Sequence, residues 1–587
     1  MCGIFGFVSQ KQKNSSEILD GLKSLEYRGY DSWGIAIKRG TKIEIEKHVG
    51  KIGEAKTSLT ATTLGIGHTR WATHGGVAVE NAHPHLDCTG QIALLHNGII
   101  ENFEELKYDL LKLGHKFVSQ TDTEVAVHLI EEELKANGFA VSVRNAFKKL
   151  HGMNAIVVMN AKSSEIIAAK NGSPLVIGES TNGYYLASDA AGIVKHTKKV
   201  MFVEDNQMAI VGKTLQIVDL LTESKIMPKY TTLSWKFEQS ELGNFKHYFI
   251  KETYEEQKVI NTIAKNSQRD AEELSKYIKD AKGIFLVACG SASYAAIGAT
   301  YLFSKIAHLH VNFAIGSEFK YSEDFVNSKT LLIPISQSGE SIDVIEPVTK
   351  MKKKGAKIAS IVNVEGSTLF RISDYAALLN SGPEKAVVAT KSFTAMLSML
   401  ILTAFTYAGR GDHGKFLLQK AAINVGDILT PSYIKIVERL ARHLNKSEHL
   451  YIIGRGFSYT AALETALKLK EGSFIHAEAF PGGELKHGVM ALIEKGTPVI
   501  VFAPNDETYA EIISNAQEVK ARGAYVVGIG PKNNSVFDDF LPTADLEEAT
   551  ILPQVTIAHL LGYYVALARK VPDPDKPRNL AKSVTVK

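Results

Sequence analysis

Cys2 combines two reactive groups in one residue once Met1 is removed: a thiol and a free α-amine. An α-amine titrates near about pH 8, so at neutral pH it can accept the proton of the thiol. Nucleophile and base then belong to the same residue, and no separate histidine is needed. A cysteine at position 2 is usually not catalytic, so the prediction of a nucleophile depends on the other residues that accompany it.

Three later segments supply groups that complement a thiol nucleophile. Asn97 and Gly98 follow the apolar run at 92–95, so an amide and a backbone N–H lie at a strand end, where they can form an oxyanion hole. Arg70 is a fixed cation that can hold a substrate carboxylate through a bidentate pair. Asp122 is a carboxylate that can hold an amino group. These groups suit an α-amino acid as substrate.

The motifs around these residues resemble class II (N-terminal-nucleophile) glutamine amidotransferases, most of all the glucosamine-6-phosphate synthase family. They occur in the family's order: Cys-Gly-Ile-Phe-Gly (2–6), Leu-Glu-Tyr-Arg-Gly-Tyr-Asp-Ser (25–32), His-Thr-Arg-Trp-Ala-Thr-His-Gly (68–75), Asn-Ala-His-Pro-His (81–85), His-Asn-Gly-Ile-Ile-Glu-Asn (96–102) and Thr-Asp-Thr-Glu (121–124). The resemblance implies that Cys2 attacks a glutamine amide and that Asn97 and Gly98 stabilise the oxyanion. It assigns glutamine binding to Arg70, Trp71, Thr73, His74 and Asp122.

The same resemblance gives Arg28 the role of organising the nucleophile segment, and Trp71 that of closing a path for ammonia. Trp33 departs from the family, which usually has a small residue there.

A hydroxyl-rich turn at 336–341, Ser-Gln-Ser-Gly-Glu-Ser, follows a predicted strand at 331–335 and precedes a predicted helix at 344–354. Backbone N–H groups at the positive end of a helix bind phosphate. The turn lacks the spacing of a P-loop or of a Rossmann fingerprint, which disfavours a nucleotide. The alternative interpretation is a serine-rich turn that caps the helix and binds no phosphate.

An internal repeat favours the phosphate interpretation. The strand–loop–helix at 284–290 recurs at 449–456, and the strand at 331–335 recurs at 498–502. After the second of these strands come Asp506 and Glu507 in place of hydroxyls, and acids repel phosphate. One copy is therefore predicted to bind phosphate and the other to be scaffold.

These segments resemble tandem sugar-isomerase (SIS) domains, the second half of the same synthases. The resemblance assigns sugar-phosphate binding to the following residues: Ser293, Ser336, Gln337, Ser338, Ser341 and Lys468. Ala389 stands where the bacterial pattern usually has serine, a loss for which Val387 or Thr390 can compensate.

Three further residues receive catalytic roles from the family. Glu471, three residues after Lys468 and so on the same helical face, would move a proton between two sugar carbons. His487, donated by a neighbouring subunit of a homodimer, would open the sugar ring. Lys582, in an unusually apolar chain end, would form a Schiff base with the ketone of fructose 6-phosphate.

Composition excludes several other classes of protein. The net charge of +4 over 587 residues indicates neither nucleic acid nor a membrane surface as partner. The N-terminus has no signal-peptide pattern and the three cysteines make no disulfide framework, so we expect a cytoplasmic protein. Cys88 and Cys289 are expected to be small buried residues. No metal site and no organic cofactor is predicted, because no Cys/His pair has convincing zinc spacing.

The predicted architecture is an α+β N-terminal-nucleophile hydrolase domain, with antiparallel sheets between helices, followed by two α/β SIS subdomains with parallel sheets. The predicted boundaries are 2–233 for the glutaminase, 234–273 for a linker and lead-in helix, 274–420 and 421–570 for the subdomains, and 571–587 for an active-site tail. The polar segment at 221–244 is the expected linker, and residues 245–265 are the expected lead-in helix. Helical patterns occur at 15–25, 102–113 and 123–135, and the apolar run at 395–408 is predicted to be a buried helix. Three alternatives remain: a purine-pathway phosphoribosyl amidotransferase, a non-enzymatic sugar-phosphate sensor, and a class II amidotransferase acting on another keto-sugar phosphate.

Overall fold

The computed structural model describes residues 2–233 and 242–584. These residues form two compact units: residues 2–233 with 581–584, and residues 242–580.

The first unit contains two sheets, in which every described pair of neighbouring strands is antiparallel. Its strands are β1 (Gly3–Lys13), β2 (Ser32–Arg39), β3 (Lys42–Val49), β4 (Thr62–Arg70), β5 (His85–Leu86), β6 (Ile92–Gly98), β7 (Asn154–Asn160), β8 (Ile166–Asn171), β9 (Val176–Ser180), β10 (Gly183–Ala187), β11 (Lys199–Phe202), β12 (Gln207–Val211), β13 (Leu215–Asp219), β14 (Lys225–Ile226) and β15 (Thr231–Thr232). Its α-helices are α1 (Ser16–Lys23), α2 (Phe103–Lys112), α3 (Glu124–Leu134) and α4 (Phe139–Lys148).

The two sheets are sandwiched between helices. One sheet has the order β15-β11-β9-β10-β1-β4-β2-β3 and the other β14-β13-β12-β8-β7-β6-β5. Ile4 of the first sheet and Leu95 of the second belong to one buried apolar cluster between the sheets. The outer faces bury α1 against the first sheet and α3 and α4 against the second. The antiparallel sandwich predicted for this region is confirmed, and β1 and β6 bring Cys2 and Asn97 to its interior.

The second unit contains two five-stranded parallel sheets. Its strands are β16 (Gly283–Ala288), β17 (Asn312–Ile315), β18 (Thr330–Ser336), β19 (Lys357–Val362), β20 (Tyr375–Leu378), β21 (His449–Gly454), β22 (His476–Pro481), β23 (Pro498–Phe502), β24 (Tyr525–Gly530) and β25 (Asp539–Pro542). Its α-helices are α5 (Tyr248–Tyr254), α6 (Glu256–Asn266), α7 (Gln268–Asp280), α8 (Ser291–Ala307), α9 (Gly316–Phe319), α10 (Ile342–Lys353), α11 (Thr368–Ile372), α12 (Lys391–Tyr407), α13 (Gly411–Ile428), α14 (Pro431–Leu444), α15 (Tyr459–Ser473), α16 (Tyr509–Lys520) and α17 (Ile551–Ala568).

The predicted internal repeat is confirmed by the strand orders, β17-β16-β18-β19-β20 and β22-β21-β23-β24-β25. Numbered within each copy, both read 2-1-3-4-5. In such a sheet ligands bind beyond the carboxyl ends of strands 1 and 3, where the order reverses. This places the loops after β16 and β18 at the binding edge of the first sheet, and those after β21 and β23 at the equivalent edge of the second.

The most apolar helices are buried in the second unit. α12, which covers the apolar run predicted to be a buried helix, is almost wholly buried. Within the described residues one stretch, Glu547–Ala568, has the length and composition of a membrane span, but 83% of its apolar window is buried inside the protein, so it is weak evidence for one.

Three local expectations need correction. The polar segment at 221–244 is not a linker throughout, because β14 and β15 lie within it and its first part belongs to the first unit; residues 234–241 lie outside the described residues. The lead-in helix predicted from 245 to 265 is divided at Glu255 into α5 and α6. Cys88 is exposed and Cys289 is only half-buried, so neither is the buried small residue expected.

Candidate active sites

The thiol of Cys2 lies at the start of β1, beside Trp71. The Trp71 N–H donates to Sγ across 3.3 Å, and Sγ lies 3.6 Å from the Trp71 carbonyl oxygen, to which the thiol can donate. Burial raises the pKa of the Cys2 thiol, although the Trp71 N–H and the charges of Arg70 and Arg28 act in the opposite direction. The resting thiol therefore needs a base before it can act as a nucleophile.

Asn97 is held with its NH₂ group toward Cys2. Its Nδ2 donates to the backbone oxygen of Cys2 at 3.0 Å, and its Oδ1 lies 3.1 Å from Nε2 of His68. That Nε2 also lies 3.0 Å from the His96 carbonyl oxygen, so it faces two acceptors and must carry the proton. Burial lowers the pKa of His68 to about 3, which keeps the ring neutral. His68 thereby fixes the amide of Asn97 in one orientation.

The backbone conformation and close packing at position 98 require glycine. Its φ is +144°, and a Cβ there would lie 2.3 Å from the Met153 carbonyl oxygen and 2.7 Å from Nε2 of His96. Glycine alone fits this position, and the positive φ sets the direction of the N–H group that the sequence assigns to the oxyanion hole.

Arg28 contacts the nucleophile segment, as expected from the resemblance. Its side chain is buried, its Nε donates to the Cys2 backbone oxygen at 3.2 Å, and its Nη1 pairs with Asp189 at 3.3 Å. Asp189 also accepts from Tyr27 at 2.9 Å. The carbonyl of Cys2 is thus held by two side chains, Arg28 and Asn97.

Arg70 shapes the loop that carries His74. Its guanidinium donates to the carbonyl oxygens of His74 at 2.5 Å, Gly75 at 3.1 Å and Gly76 at 3.0 Å. Asp122, at the end of the segment before α3, is buried and accepts from the Ile100 N–H at 2.8 Å. Thr73 is exposed and His74 is half-buried, so this loop forms the accessible side of the site.

Several positioning residues are not evident from the sequence. The Gly3 N–H donates to Oγ1 of Thr69, and the Ile4 N–H to Oγ of Ser188. Thr69 could have been found inside its motif, but Ser188 is 184 positions from its partner, and only the pairing of β1 with β10 brings it close. Trp33, the departure from the family, is buried and stacks on His48 at 4.4 Å.

In the second unit, the hydroxyl-rich loop lies where the topology places a ligand. The Gly339 N–H donates to Oγ of Ser336 at 3.0 Å, and the Glu340 N–H to Oγ of Ser338 at 3.1 Å. Gly339 has φ +65°, and a Cβ there would lie 2.1 Å from Oγ of Ser367. Glu340 accepts from the N–H and hydroxyl of Thr368, both at 2.8 Å, which ties its carboxylate to α11. The loop is therefore a tight turn leading into α10.

The other predicted phosphate-side residues occupy the ends of the same elements. Ser341 directly precedes α10, and its hydroxyl is 3.5 Å from that of Ser336. Ser293 lies in the first turn of α8, where its hydroxyl donates to the Gly290 carbonyl oxygen at 2.7 Å. Gln337 is half-buried. Since β16 and β18 are parallel neighbours, both loops lie at one edge of the first sheet.

At the equivalent edge of the second sheet, Asp506 and Glu507 make contacts within the protein. Asp506 accepts from the N–H of Thr508 at 2.8 Å, and Glu507 pairs with Lys305 at 2.8 Å. No hydroxyl cluster follows β23. Near Ala389, the buried Thr390 N–H donates to Glu384 at 3.0 Å, whereas its Oγ1 has no hydrogen-bond partner among the described residues.

A buried charged network surrounds Lys468. Its Nζ lies 2.7 Å from Glu471 and 3.2 Å from Glu464. His559 lies 3.5 Å from the same Glu464 and 2.5 Å from Glu256. Lys468, Glu464, His559 and Glu256 are all fully buried, whereas the side chain of Glu471 is 17% exposed. Glu471 is thus the member of the network that reaches a surface.

The two remaining catalytic candidates lie elsewhere. His487 ends a short 3₁₀ helix at Gly482–His487 and is exposed. Lys582 belongs to the chain end at 581–584, which groups with the first unit. The segment before it is anchored, because Asp575 accepts from the N–H groups of Tyr248 and Phe249 at 2.8 and 2.7 Å.

Comparisons with known proteins agree with both halves. Residues 68–195 match the glutamine amidotransferase domain family, and residues 277–405 and 443–540 match the SIS domain family. The chain is 39% identical to the glutamine–fructose-6-phosphate aminotransferase (isomerizing) of Pyrococcus horikoshii and 38% identical to that of Thermus thermophilus, with full coverage of all chains. A solved C-terminal domain of glucosamine-fructose-6-phosphate aminotransferase from Francisella tularensis matches at 32% identity and a TM-score of 0.53, covering 56% of this chain and 99% of that one. The chain belongs to the glutamine–fructose-6-phosphate aminotransferase (isomerizing) family.

Proposed function

We propose that this enzyme converts glutamine and fructose 6-phosphate into glutamate and glucosamine 6-phosphate. The chain matches relatives that are named for this reaction over their full length. It also contains both a glutamine amidotransferase domain and two SIS domains. The observation that carries the proposal is the Cys2–Asn97–His68 arrangement, in which His68 orients the amide of Asn97 so that its NH₂ group donates to the backbone oxygen of the residue that bears the N-terminal thiol.

The first half-reaction is glutamine hydrolysis at Cys2. Removal of Met1 frees the α-amine, which takes the thiol proton, and the sulfur attacks the side-chain amide carbon of glutamine. Asn97 and the Gly98 N–H stabilise the oxyanion. The C–N bond breaks with release of ammonia, and water hydrolyses the resulting thioester to glutamate. Arg70, Thr73, His74 and Asp122 hold the amino-acid end of glutamine, and Trp71 closes the path by which ammonia leaves.

The second half-reaction takes place on the sugar phosphate, which the loops with Ser293 and Ser336–Ser341 hold by its phosphate. His487 of a second subunit opens the ring in a homodimer, Lys582 forms an imine with the C2 ketone, and water is released. Ammonia displaces the lysine, and Glu471 moves a proton from C1 to C2. The partial exposure of Glu471 supports this role, because a proton-transferring carboxylate must reach its substrate.

Incubation of the full-length enzyme with glutamine and fructose 6-phosphate, followed by an assay for hexosamine phosphate, tests the proposal. Glucosamine 6-phosphate and glutamate should form together. Glutamate without any amino sugar would overturn the assignment of fructose 6-phosphate. A panel of other keto-sugar phosphates would then identify the acceptor of the remaining alternative, a related class II amidotransferase.

A further inference from the structure

Four side chains, none of them assigned to the glutaminase reaction, converge near the surface of the first unit. They are Cys88, His115, His128 and Glu131, whose ligand-type atoms all lie within 4.8 Å of one another. Sγ of Cys88 lies 3.6 Å from Nδ1 of His115 and 3.7 Å from Nδ1 of His128. Oε2 of Glu131 lies 3.0 Å from each of these two nitrogens. A thiol, two imidazoles and a carboxylate thus face a common centre.

These distances are close to the edges of a tetrahedron around zinc. With Zn–S of about 2.3 Å and Zn–N or Zn–O of about 2.0–2.1 Å, a tetrahedral ion separates sulfur from nitrogen by about 3.6 Å and nitrogen from oxygen by about 3.3 Å. The observed sulfur–nitrogen distances match, and the nitrogen–oxygen distances need to widen only slightly. A set of one sulfur, two imidazole nitrogens and one carboxylate oxygen is also typical of zinc rather than of magnesium or calcium.

The surroundings have the features of an outer coordination shell. Nε2 of His115, the nitrogen that faces away from the centre, lies 2.6 Å from Glu132, and Nε2 of His128 lies 3.7 Å from Glu124. Carboxylates in this position orient zinc-binding imidazoles and fix their tautomer. The Lys116 N–H points at Sγ of Cys88 across 3.4 Å, which would help to stabilise a thiolate.

A metal-free hydrogen-bond network explains the cluster less well. Nδ1 and Nε2 of His115 both face carboxylate oxygens, at 3.0 and 2.6 Å, and Oε2 of Glu131 already accepts from the Cys88 N–H at 3.1 Å. His128 must donate to the same Oε2 atom, while its buried Nε2 has no hydrogen-bond partner among the described residues. With a dication at the centre, the Nδ1 lone pairs of both rings can bind the metal, and Nε2 of His115 can donate to Glu132.

The backbone around the cluster is already fixed. Asp87, next to Cys88, accepts from the N–H groups of Gln91 and Ile92 at 2.8 and 2.7 Å, which closes the turn between β5 and β6. Glu124 accepts from the N–H groups of Val118 and Ser119 at 2.8 and 2.7 Å, which holds the loop between α2 and α3. The ligands therefore come from three segments with defined positions.

We propose that Cys88, His115, His128 and Glu131 bind a structural zinc ion that joins the β5–β6 turn and the α2–α3 loop to α3. Four protein ligands complete a tetrahedral shell and leave no position for water, so the ion is structural rather than catalytic. α3 begins two residues after Asp122, so the ion would also steady the carboxylate assigned to the amino group of glutamine.

Metal analysis of tag-free, full-length protein tests the proposal, with matched cysteine variants. Wild-type protein prepared without chelator should contain about one zinc per chain, which Cys88→Ser and His128→Gln lose and Cys289→Ser, the control in the other unit, retains. After dialysis against chelator, added Co²⁺ should give a thiolate-to-cobalt charge-transfer band in wild type and in Cys289→Ser but not in Cys88→Ser. Removal of the ion from wild type by chelator should lower the midpoint of thermal unfolding to that of Cys88→Ser.

Two results would overturn the zinc site. The first is wild-type protein that contains no zinc and gives no charge-transfer band when Co²⁺ is added. The second is zinc that remains in both Cys88→Ser and His128→Gln, which would mark adventitious binding elsewhere. If both variants fail to fold, the cobalt spectra of Cys2→Ala and Cys289→Ser still decide. A thiolate band that persists in each of them assigns the sulfur ligand to Cys88, and loss of the band in either one assigns it elsewhere.

Discussion

Lys468 donates to Glu471 one turn further along α15, with 2.7 Å between Nζ and Oε2, and the lysine is fully buried. Burial alone would lower the pKa of Lys468, but Glu464 and Glu471 raise it above its usual value. An amine forms an imine only when it is unprotonated, so this ammonium is a poor candidate for covalent chemistry. The pair instead places a fixed positive charge beside the proposed proton-transferring carboxylate.

Lys582, rather than Lys468, should therefore carry the sugar. Lys582→Arg should abolish amino-sugar synthesis and leave glutamine hydrolysis in place, because arginine keeps the charge but cannot form the imine. Borohydride reduction of wild type with fructose 6-phosphate, followed by peptide mapping, should find the label on the C-terminal peptide. A label on the peptide with Lys468 would refute the assignment.

Cys2→Ala should abolish glutamine hydrolysis and leave the binding of sugar phosphate intact. The physical reason is that the thiol belongs to the first unit, whereas the hydroxyl loop at 336–341 lies in the second. Calorimetric titration with fructose 6-phosphate measures the second property, with wild type as the reference. Loss of sugar-phosphate binding in Cys2→Ala would contradict the assignment of separate sites.

Asn97→Ala should lower kcat for glutamine hydrolysis by about 10²–10³, the usual effect of removing one oxyanion donor. His68→Ala should cause a smaller loss, because Asn97 remains but its amide is no longer fixed by the His68 ring. Steady-state kinetics of both variants separates the roles. If Asn97→Ala raised KM and left kcat unchanged, Asn97 would bind the substrate without stabilising the transition state.

Trp71→Ala should make glutamate form faster than amino sugar, so that ammonia is lost to solvent. The indole of Trp71 contacts Tyr30 edge-on, with ring centroids 5.6 Å apart. The contact of Trp71 with the Cys2 thiol is made by its backbone N–H, so alanine should keep that contact and remove only the indole. Parallel assays of glutamate and glucosamine 6-phosphate measure the ratio. A ratio of one in the variant would assign the indole to packing only.

The stability of the second unit should fall between pH 6.5 and 9. Burial alone would lower the pKa of His559, but Glu256 and Glu464 raise it to about 9. Because the folded pKa exceeds the unfolded value, the stabilisation is complete below pH 6.5 and is lost as the pH rises through 9. A shift from 6.5 to about 9 corresponds to about 3 kcal/mol. Urea unfolding of wild type and His559→Gln at pH 6.5 and 9.5 measures it; an equal pH dependence in both would refute the assignment.

Local patterns predicted the main elements and the loops that carry chemistry, because strand and helix periodicities and glycine turns are encoded in neighbouring residues. α1, α2 and α3 lie within the segments predicted to be helical, and both parallel sheets were recognised from their repeat. Contacts between distant residues could not be predicted in this way. Ser188 reaches Ile4 only through strand pairing, and Glu256 reaches His559 across 303 positions.

The cluster around Cys88 was missed for the same reason. His115 follows Cys88 by 27 positions, and only His128 and Glu131 have a local spacing, three residues on one helix. The lack of a paired Cys/His motif gave the expectation of no metal, and the proposed zinc site is an alternative to that expectation. A single His-x-x-Glu pair on a helix is too common to indicate a metal by itself.

The identical strand order of the two parallel sheets gives the molecule an internal reference for its own evolution. Both copies have the same strand order, so a difference between equivalent loops is not required by the topology. The turn at 336–341 and the segment at 503–507 follow equivalent strands, yet the first has hydroxyls and the second has acids, of which Glu507 pairs with Lys305. Gene duplication followed by loss of ligand binding in one copy would account for this asymmetry.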